Sequence, residues 1–127
     1  LMQLRSPMES HGMCWGLWGG KLAANEGDLN GLKRELCEEL GYPGVPDTLA
    51  MSHVYTFVTR DSKFRHVSYL ILCKNEFVPT LDKESAGYCW VDLWHWPQPL
   101  HKNTAKMFSS RGFKTALEGL LRDDKVN

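Results

Sequence analysis

The chain has no excess of either charge: 15 Lys and Arg face 15 Asp and Glu. Proteins that grip nucleic acid through its phosphates usually carry a basic surplus, so strong nucleic-acid binding is not expected. A small polyanion met through metal ions is still allowed, because the metal supplies the positive charge. Long apolar runs are also missing. None approaches the ~20 residues of a membrane span. The longest candidate, Val67–Cys73, is strand-sized, and no membrane partner is expected. No CxxC pair occurs, and Cys14, Cys37, Cys73 and Cys89 match no zinc spacing. Four cysteines could close two disulfides; the preferred reading is reduced, partly buried thiols in a cytoplasmic protein. Internal repeats and low-complexity tracts are absent, and no signal peptide is visible. The chain does begin abruptly at Leu1-Met2-Gln3-Leu4, like the second half of a strand, so residues are expected to be missing upstream.

What is present suits one domain over residues 1–127. An apolar content of 43% with 24% charged residues sets aside disordered and fibrous classes. A chain of this size buries about two-thirds of the surface its unfolded form exposes, enough for a core without staples. Leu1–Arg5 reads as a strand end and Ser6–Met13 as a loop around Pro7 and Gly12. Cys14–Leu17 reads as a short strand before the Gly19-Gly20 turn. Met51–Thr59 and Phe64–Lys74, joined by polar Arg60–Lys63, make a hairpin. Gly87–Leu93 is another strand, and Trp96-Pro97-Gln98-Pro99 breaks regular structure. Thr104–Arg122 reads as one closing helix whose apolar face holds Phe108, Phe113, Leu117 and Leu120 or Leu121. Strands and helices mix without strict βαβ alternation, which points to an α/β or α+β sandwich.

The strongest local signal is a helix over Leu29–Leu40. Asp28 stands where an N-cap belongs, and Gly41 suits the position after the last turn. Gly31 is a poor interior residue, costing roughly 1 kcal/mol against alanine. At 3.6 residues per turn, Glu38 and Glu39 fall about 60° and 40° to either side of Glu35. Leu29, Leu32, Leu36 and Leu40 form a stripe to be buried on the neighbouring flank. Clustered carboxylates oppose helix formation by a few tenths of a kcal/mol per pair. Hard divalent cations remove that penalty and prefer oxygen ligands. The plain alternative is a solvated acidic face, salted by Lys33 and Arg34.

The flanking residues decide between the two. From Gly20 the chain reads glycine, five residues, Glu26, seven residues, then Arg34-Glu35-Leu36-Cys37-Glu38-Glu39-Leu40-Gly41-Tyr42. A chance match to so many fixed positions has odds on the order of 10⁻⁷ at ordinary residue usage. The stretch Gly20–Tyr42 resembles the Nudix box, with every specified position filled. A weaker likeness to MutT-like Nudix proteins covers nearly the whole chain, including Leu4-Arg5-Ser6 and Glu84 ahead of Trp90-Val91.

The resemblance implies an α/β/α sandwich around a mixed β-sheet. It also implies a Mg²⁺- or Mn²⁺-dependent hydrolase of nucleoside diphosphates linked to another moiety. Glu38 and Glu39 would be the main metal ligands, and Glu35 a further ligand or the base that orients water. A backbone carbonyl of Gly19 or Gly20 would complete the shell. Glu26 and Arg34 would form a structural ion pair, and Lys21 would face the phosphates. Glu84 resembles the downstream acid that serves as ligand or base, with a plain surface glutamate as the alternative. The chain departs from the pattern at Trp18, where proline is usual, and at Asn30-Gly31, where alanines are usual. Both positions flank the site and bear on subfamily rather than on metal chemistry.

Outside the box, Trp18 adjoins the phosphate loop and is the best stacking candidate among Trp15, Trp18, Trp90, Trp94 and Trp96. Phe57 and Tyr55 could line the same pocket. Arg5 suits a phosphate, because arginine matches its geometry; a strand-end surface charge is the even alternative. His11 lies in a loop near Arg5. His53, His66, His95 and His101 show no shared metal spacing and read as ordinary histidines. No Ser/His/Asp or Cys/His arrangement demands a covalent nucleophile. The short chain and its Gly-Gly-Lys turn lean towards a (d)NTP or a related small nucleotide. The rival readings are a nucleotide-sugar or ADP-ribose pyrophosphatase and a non-catalytic nucleotide sensor. An RNA-end hydrolase lacks the basic surface it would need, and a homodimer is left open.

Overall fold

A computed structural model describes residues 1–20, 22 and 25–126, with side chains described up to Arg122. The expected N-terminal strand is β1, Met2–Arg5. It is the middle strand of a three-stranded sheet, between β2 (Trp15–Gly16) and β5 (Ser85–Cys89). Gln3 lies opposite Gly16 on one side and Tyr88 on the other. The strand expected over Gly87–Leu93 starts and ends earlier. Trp90 lies just beyond the strand, and its indole N–H donates to the Phe77 carbonyl at 2.8 Å. The intervening loop folds back on itself at Gly12. A Cβ there would sit 2.8 Å from the Ser6 carbonyl oxygen and 2.9 Å from Pro7 Cα, both backbone atoms. Only glycine fits such a close approach.

β3 (Thr48–Val58) and β4 (Arg65–Cys73) form the expected hairpin as a separate two-stranded sheet. Its turn is closed by the Thr59 N–H donating to the Phe64 carbonyl at 3.0 Å. The Asp61 carboxylate accepts from the Thr59 hydroxyl at 2.6 Å and the Lys63 N–H at 3.0 Å. The named strands pair antiparallel throughout. Among the described residues the parallel part of the expected mixed sheet amounts to an isolated bridge between Trp15 and Leu100.

α1 spans Asp28–Leu40. Asp28 is its first helical residue and not its cap; Gly27 stands at the cap without a side-chain bond. The Asp28 carboxylate is engaged elsewhere, accepting from Arg65 Nη2 at 3.2 Å. Leu36 and Leu40 are buried as the stripe requires, but Leu29 is 44% exposed. Leu29 borders a groove shared with Pro43, Val45 and Met51, so its outer flank meets solvent. Gly31 is buried beneath the Leu22 side chain, which a Cβ would strike.

The single closing helix expected over Thr104–Arg122 is two helices, α2 (Lys102–Phe108) and α3 (Arg111–Val126). Ser110 makes the break. Its hydroxyl donates to the Met107 carbonyl at 2.7 Å and accepts from the Phe113 N–H at 3.2 Å. One side chain thus closes α2 and caps α3. α2 begins earlier than Thr104 because His101 Nδ1 accepts from the Asn103 N–H at 3.1 Å. The core gathers Met2, Val54, Met107, Phe108, Phe113 and Leu117, so it joins β1, β3, α2 and α3. Phe108 stacks on Phe113 at 4.9 Å between centroids, and Trp96 lies 4.3 Å from Phe108. Each fully buried side chain of this kind contributes about 1.5–3 kcal/mol. The four cysteines are free and half-buried.

Candidate active site

The second half of α1 and the segment leading into β5 are stitched together by main-chain bonds. The Thr80 N–H donates to the Leu40 carbonyl at 3.1 Å, which anchors the segment to the end of the helix. The Ser6 N–H donates to the Glu84 carbonyl at 2.9 Å, which anchors it to β1. Between these points Asp82 closes a turn: its carboxylate accepts from the Glu84 N–H at 3.0 Å, and its carbonyl from the Ser85 N–H at 3.2 Å. The result sets Asp82 and Glu84 beside Glu39. One carboxylate oxygen from each of the three lies within 4.8 Å of the others.

Glu39 is only 4% exposed. Burial pushes its carboxyl up to about 8, helped by the Glu84 hydrogen bond and by the charges of Glu84, Glu35 and Asp82. A buried carboxylate needs a counter-charge, and without one it takes a proton. An all-oxygen donor set with excess negative charge is also what a hard divalent cation prefers. The residues present therefore fit Mg²⁺ or Mn²⁺.

The rest of the box is organised by Arg34. Its Nε and Nη2 donate to Glu26 at 2.8 and 2.9 Å, giving the ion pair expected between those residues a two-pronged geometry. Its Nη1 lies 3.0 Å from Glu35 and donates to Glu38 at 3.2 and 3.3 Å. The Glu26 bond, then the Glu38 bond, holds the Arg34 pKa above even its usual high value. The structure therefore does not bring Glu35, Glu38 and Glu39 together as one convergent set. Glu38 has a side chain 57% exposed and faces Arg34. The acidic cluster draws Glu39 from the helix and its other members from the β5 approach. The physical reason is competition: a nearby guanidinium satisfies Glu35 and Glu38, while Glu39 points inward, out of its reach.

The glycine pair packs against the same helix edge. The Gly19 N–H donates to Glu39 Oε2 at 3.2 Å. This bond uses the N–H of the turn, whereas the motif implied a carbonyl. Gly20 lies so close to the Glu35 carboxyl that any side chain there would displace it. Gly19, Gly20 and Glu35 open onto a cavity of about 950 Å³, whose walls also include Arg5, Trp18 and Phe57. Arg5 is partly committed, donating from Nε to the Ser10 carbonyl at 2.9 Å. The Trp18 indole N–H is buried without a hydrogen-bond partner. His11 and His101 stack with centroids 4.4 Å apart. His101 is held below its usual pKa by burial, then by His11 and Arg5. Lys21 lies outside the described residues.

Asp82 escaped the sequence reading. Its only signal was the Asp82-Lys83-Glu84 alternation just before a strand, a pattern common in surface turns.

A helix edge carrying this acidic box, a glycine turn against it and a further carboxylate pair define a Nudix domain. The family model of the NUDIX domain matches residues 1–110, from β1 through α2. The chain belongs to the Nudix family and has the general character of a Nudix hydrolase, with a nucleotide-type substrate. No curated protein and no solved structure gave a match. Among the described residues, no helix is long and apolar enough to cross a membrane.

Proposed function

We propose that the chain is a Mg²⁺- or Mn²⁺-dependent pyrophosphohydrolase of a (d)NTP or a related small nucleotide. It acts as a single domain over residues 1–127, built as the family's α/β/α sandwich. The observation that carries this reading is the buried Glu39 carboxyl, set beside Asp82 and Glu84 and bonded by the Gly19 N–H. Glu39, Asp82 and Glu84 would hold the cation, with Glu35 and Glu38 completing the acidic edge from their place on Arg34. When bound, the metal would neutralise phosphoryl oxygens and lower the pKa of water.

The chain's own residues do the rest. Glu84, whose carboxyl lies beside Glu39, would accept a proton through the oxygen it does not give to the cation. The Glu26–Arg34 pair keeps the loop and helix in register, so the glycine turn stays against Glu39. Trp18, Phe57 and Arg5 line the cavity that the turn opens onto and would contact the nucleoside and its phosphates; Lys21 is proposed for the phosphates as well. The four free thiols suit a reducing compartment, which this reading takes as the cytoplasm.

The test is a phosphate-release screen over dNTPs, NTPs, nucleotide sugars, ADP-ribose and dinucleoside polyphosphates, with and without Mg²⁺. The expected result is metal-dependent release from a (d)NTP. Turnover confined to nucleotide sugars or ADP-ribose would move the chain to the rival substrate class. Tight nucleotide binding with no turnover would leave a sensor.

A further inference from the structure

The cavity that reaches Gly19, Gly20 and Glu35 has a second end; Glu39 adjoins the first through its bond to the Gly19 N–H. Phe57 on β3 stands directly across from His66 on β4, with the rings 6.0 Å apart. Lys106, in the last turn of α2, places its ammonium 5.1 Å from the Phe57 ring centroid. All three residues line the cavity that reaches Gly19, Gly20 and Glu35. A last-turn lysine complements the helix dipole wherever it points. This one extends over an aromatic ring in the cavity wall. The ion pairs among the described residues involve Arg34 and Arg65, and Lys106 enters none of them.

The helix provides a ruler. Arg65, next to His66, bonds Asp28 at 3.2 Å, so the hairpin turn lies beside the first turn of α1. Glu35 and Glu39 stand about 10 and about 16 Å further along that helix. A diphosphate held at the carboxylate end leaves the second end to whatever the substrate carries at its other end. An aromatic ring offers a face for stacking, and an ammonium beside it offers strong donors for an anion.

We propose that Phe57, His66 and Lys106 form a subsite for an anionic group at the end of the substrate remote from the scissile diphosphate. The group is a ribose phosphate or a sugar carboxylate. The inference rests on the diphosphate lying at Glu39, and within the proposed class it adds a preference for a related small nucleotide that carries a second charge at its far end. Lys106 is the specificity-determining residue; Phe57 supplies the surface on which the ring bearing the charge lies.

The test measures equilibrium binding by calorimetry, with Ca²⁺ as the cation so that binding is read apart from turnover. Two pairs of probes each differ by a single anionic group: UDP-glucose against UDP-glucuronate, and NAD against NADP. The charged member of at least one pair is expected to bind about tenfold more tightly, and which pair shows it identifies the carboxylate or the phosphate. In Lys106→Met that ratio falls to about one, and in Lys106→Arg it persists, because the cation is retained. Equal binding within both pairs, or a preference untouched by Lys106→Met, overturns the proposal. A chain that shows the Lys106-dependent preference but hydrolyses nothing supports the subsite and defeats the hydrolase reading instead.

Discussion

The segment from Phe77 to Ser85 and the turn of the β3–β4 hairpin both lie against α1, at its opposite ends, and they are held by different means. The first is fixed by main-chain hydrogen bonds to Leu40 and Ser6, with Asp82 closing the turn between them. The second is held by a side chain, Arg65 on Asp28. The carboxylates at the first end are half to fully buried, whereas Arg65 at the second is 59% exposed. Main-chain bonds fix position tightly, which metal coordination requires. Long exposed side chains can shift to meet different ligands, which suits selection among substrates.

That contrast ranks the expected effects of mutation. Glu39→Gln removes the centre of the fixed end, and Mg²⁺-dependent turnover should fall by at least about a hundredfold. Equal turnover in initial-rate assays would refute the metal assignment. Asp82→Asn keeps the turn's shape but weakens the donor set, so a loss of about tenfold is expected, accompanied by a higher Mg²⁺ requirement. A Mg²⁺ titration of the rate separates that from misfolding.

The third effect is on stability. Folding raises the Glu39 carboxyl from 4.5 to about 8, so the folded state holds that proton more tightly than the unfolded chain. The associated stability is full below 4.5 and is lost as pH rises towards 8. The metal-free protein should therefore show a Tm that declines across this window relative to Glu39→Gln, measured by thermal melts at matched ionic strength. Added Mg²⁺ should raise the Tm most at the alkaline end, where the proton no longer competes. The smallest effect belongs to the adaptable end. Arg65→Gln should cost no more than about 1 kcal/mol in denaturant unfolding, and less in high salt, because the pair is exposed and screened.

The parts legible in the sequence were those fixed by short-range pattern. α1, β1 and the β3–β4 hairpin follow from apolar spacing and turn residues, and the Glu26–Arg34 pair followed from the motif. The break between α2 and α3 was missed because Ser109-Ser110 carries no proline or glycine of its own. The available clue was the five-residue step from Phe108 to Phe113, which a continuous helix would put on different faces. Leu29 was misplaced because periodicity says which residues share a face, not whether a partner covers all of it. Within the candidate site, Glu39 and Glu84 were visible and Asp82 was not. Its position depends on Thr80 bonding Leu40 and Ser6 bonding Glu84, long-range contacts that no local spacing encodes. Competition for Arg34, which draws Glu38 away from the cluster, is likewise a property of the assembled edge.

Gly31 carries a consequence for anyone engineering this scaffold. A stabilisation scheme working from helix propensity alone would replace it with alanine for a gain of roughly 1 kcal/mol. The new methyl would strike the Leu22 side chain and come within 3.2 Å of the Glu26 carboxylate. Leu22 is 48% exposed and can swing outward, so the variant should fold. It would do so with the Leu22 contact loosened, leaving the Glu26–Arg34 pair and the Gly19–Glu39 bond as the remaining ties between loop and helix.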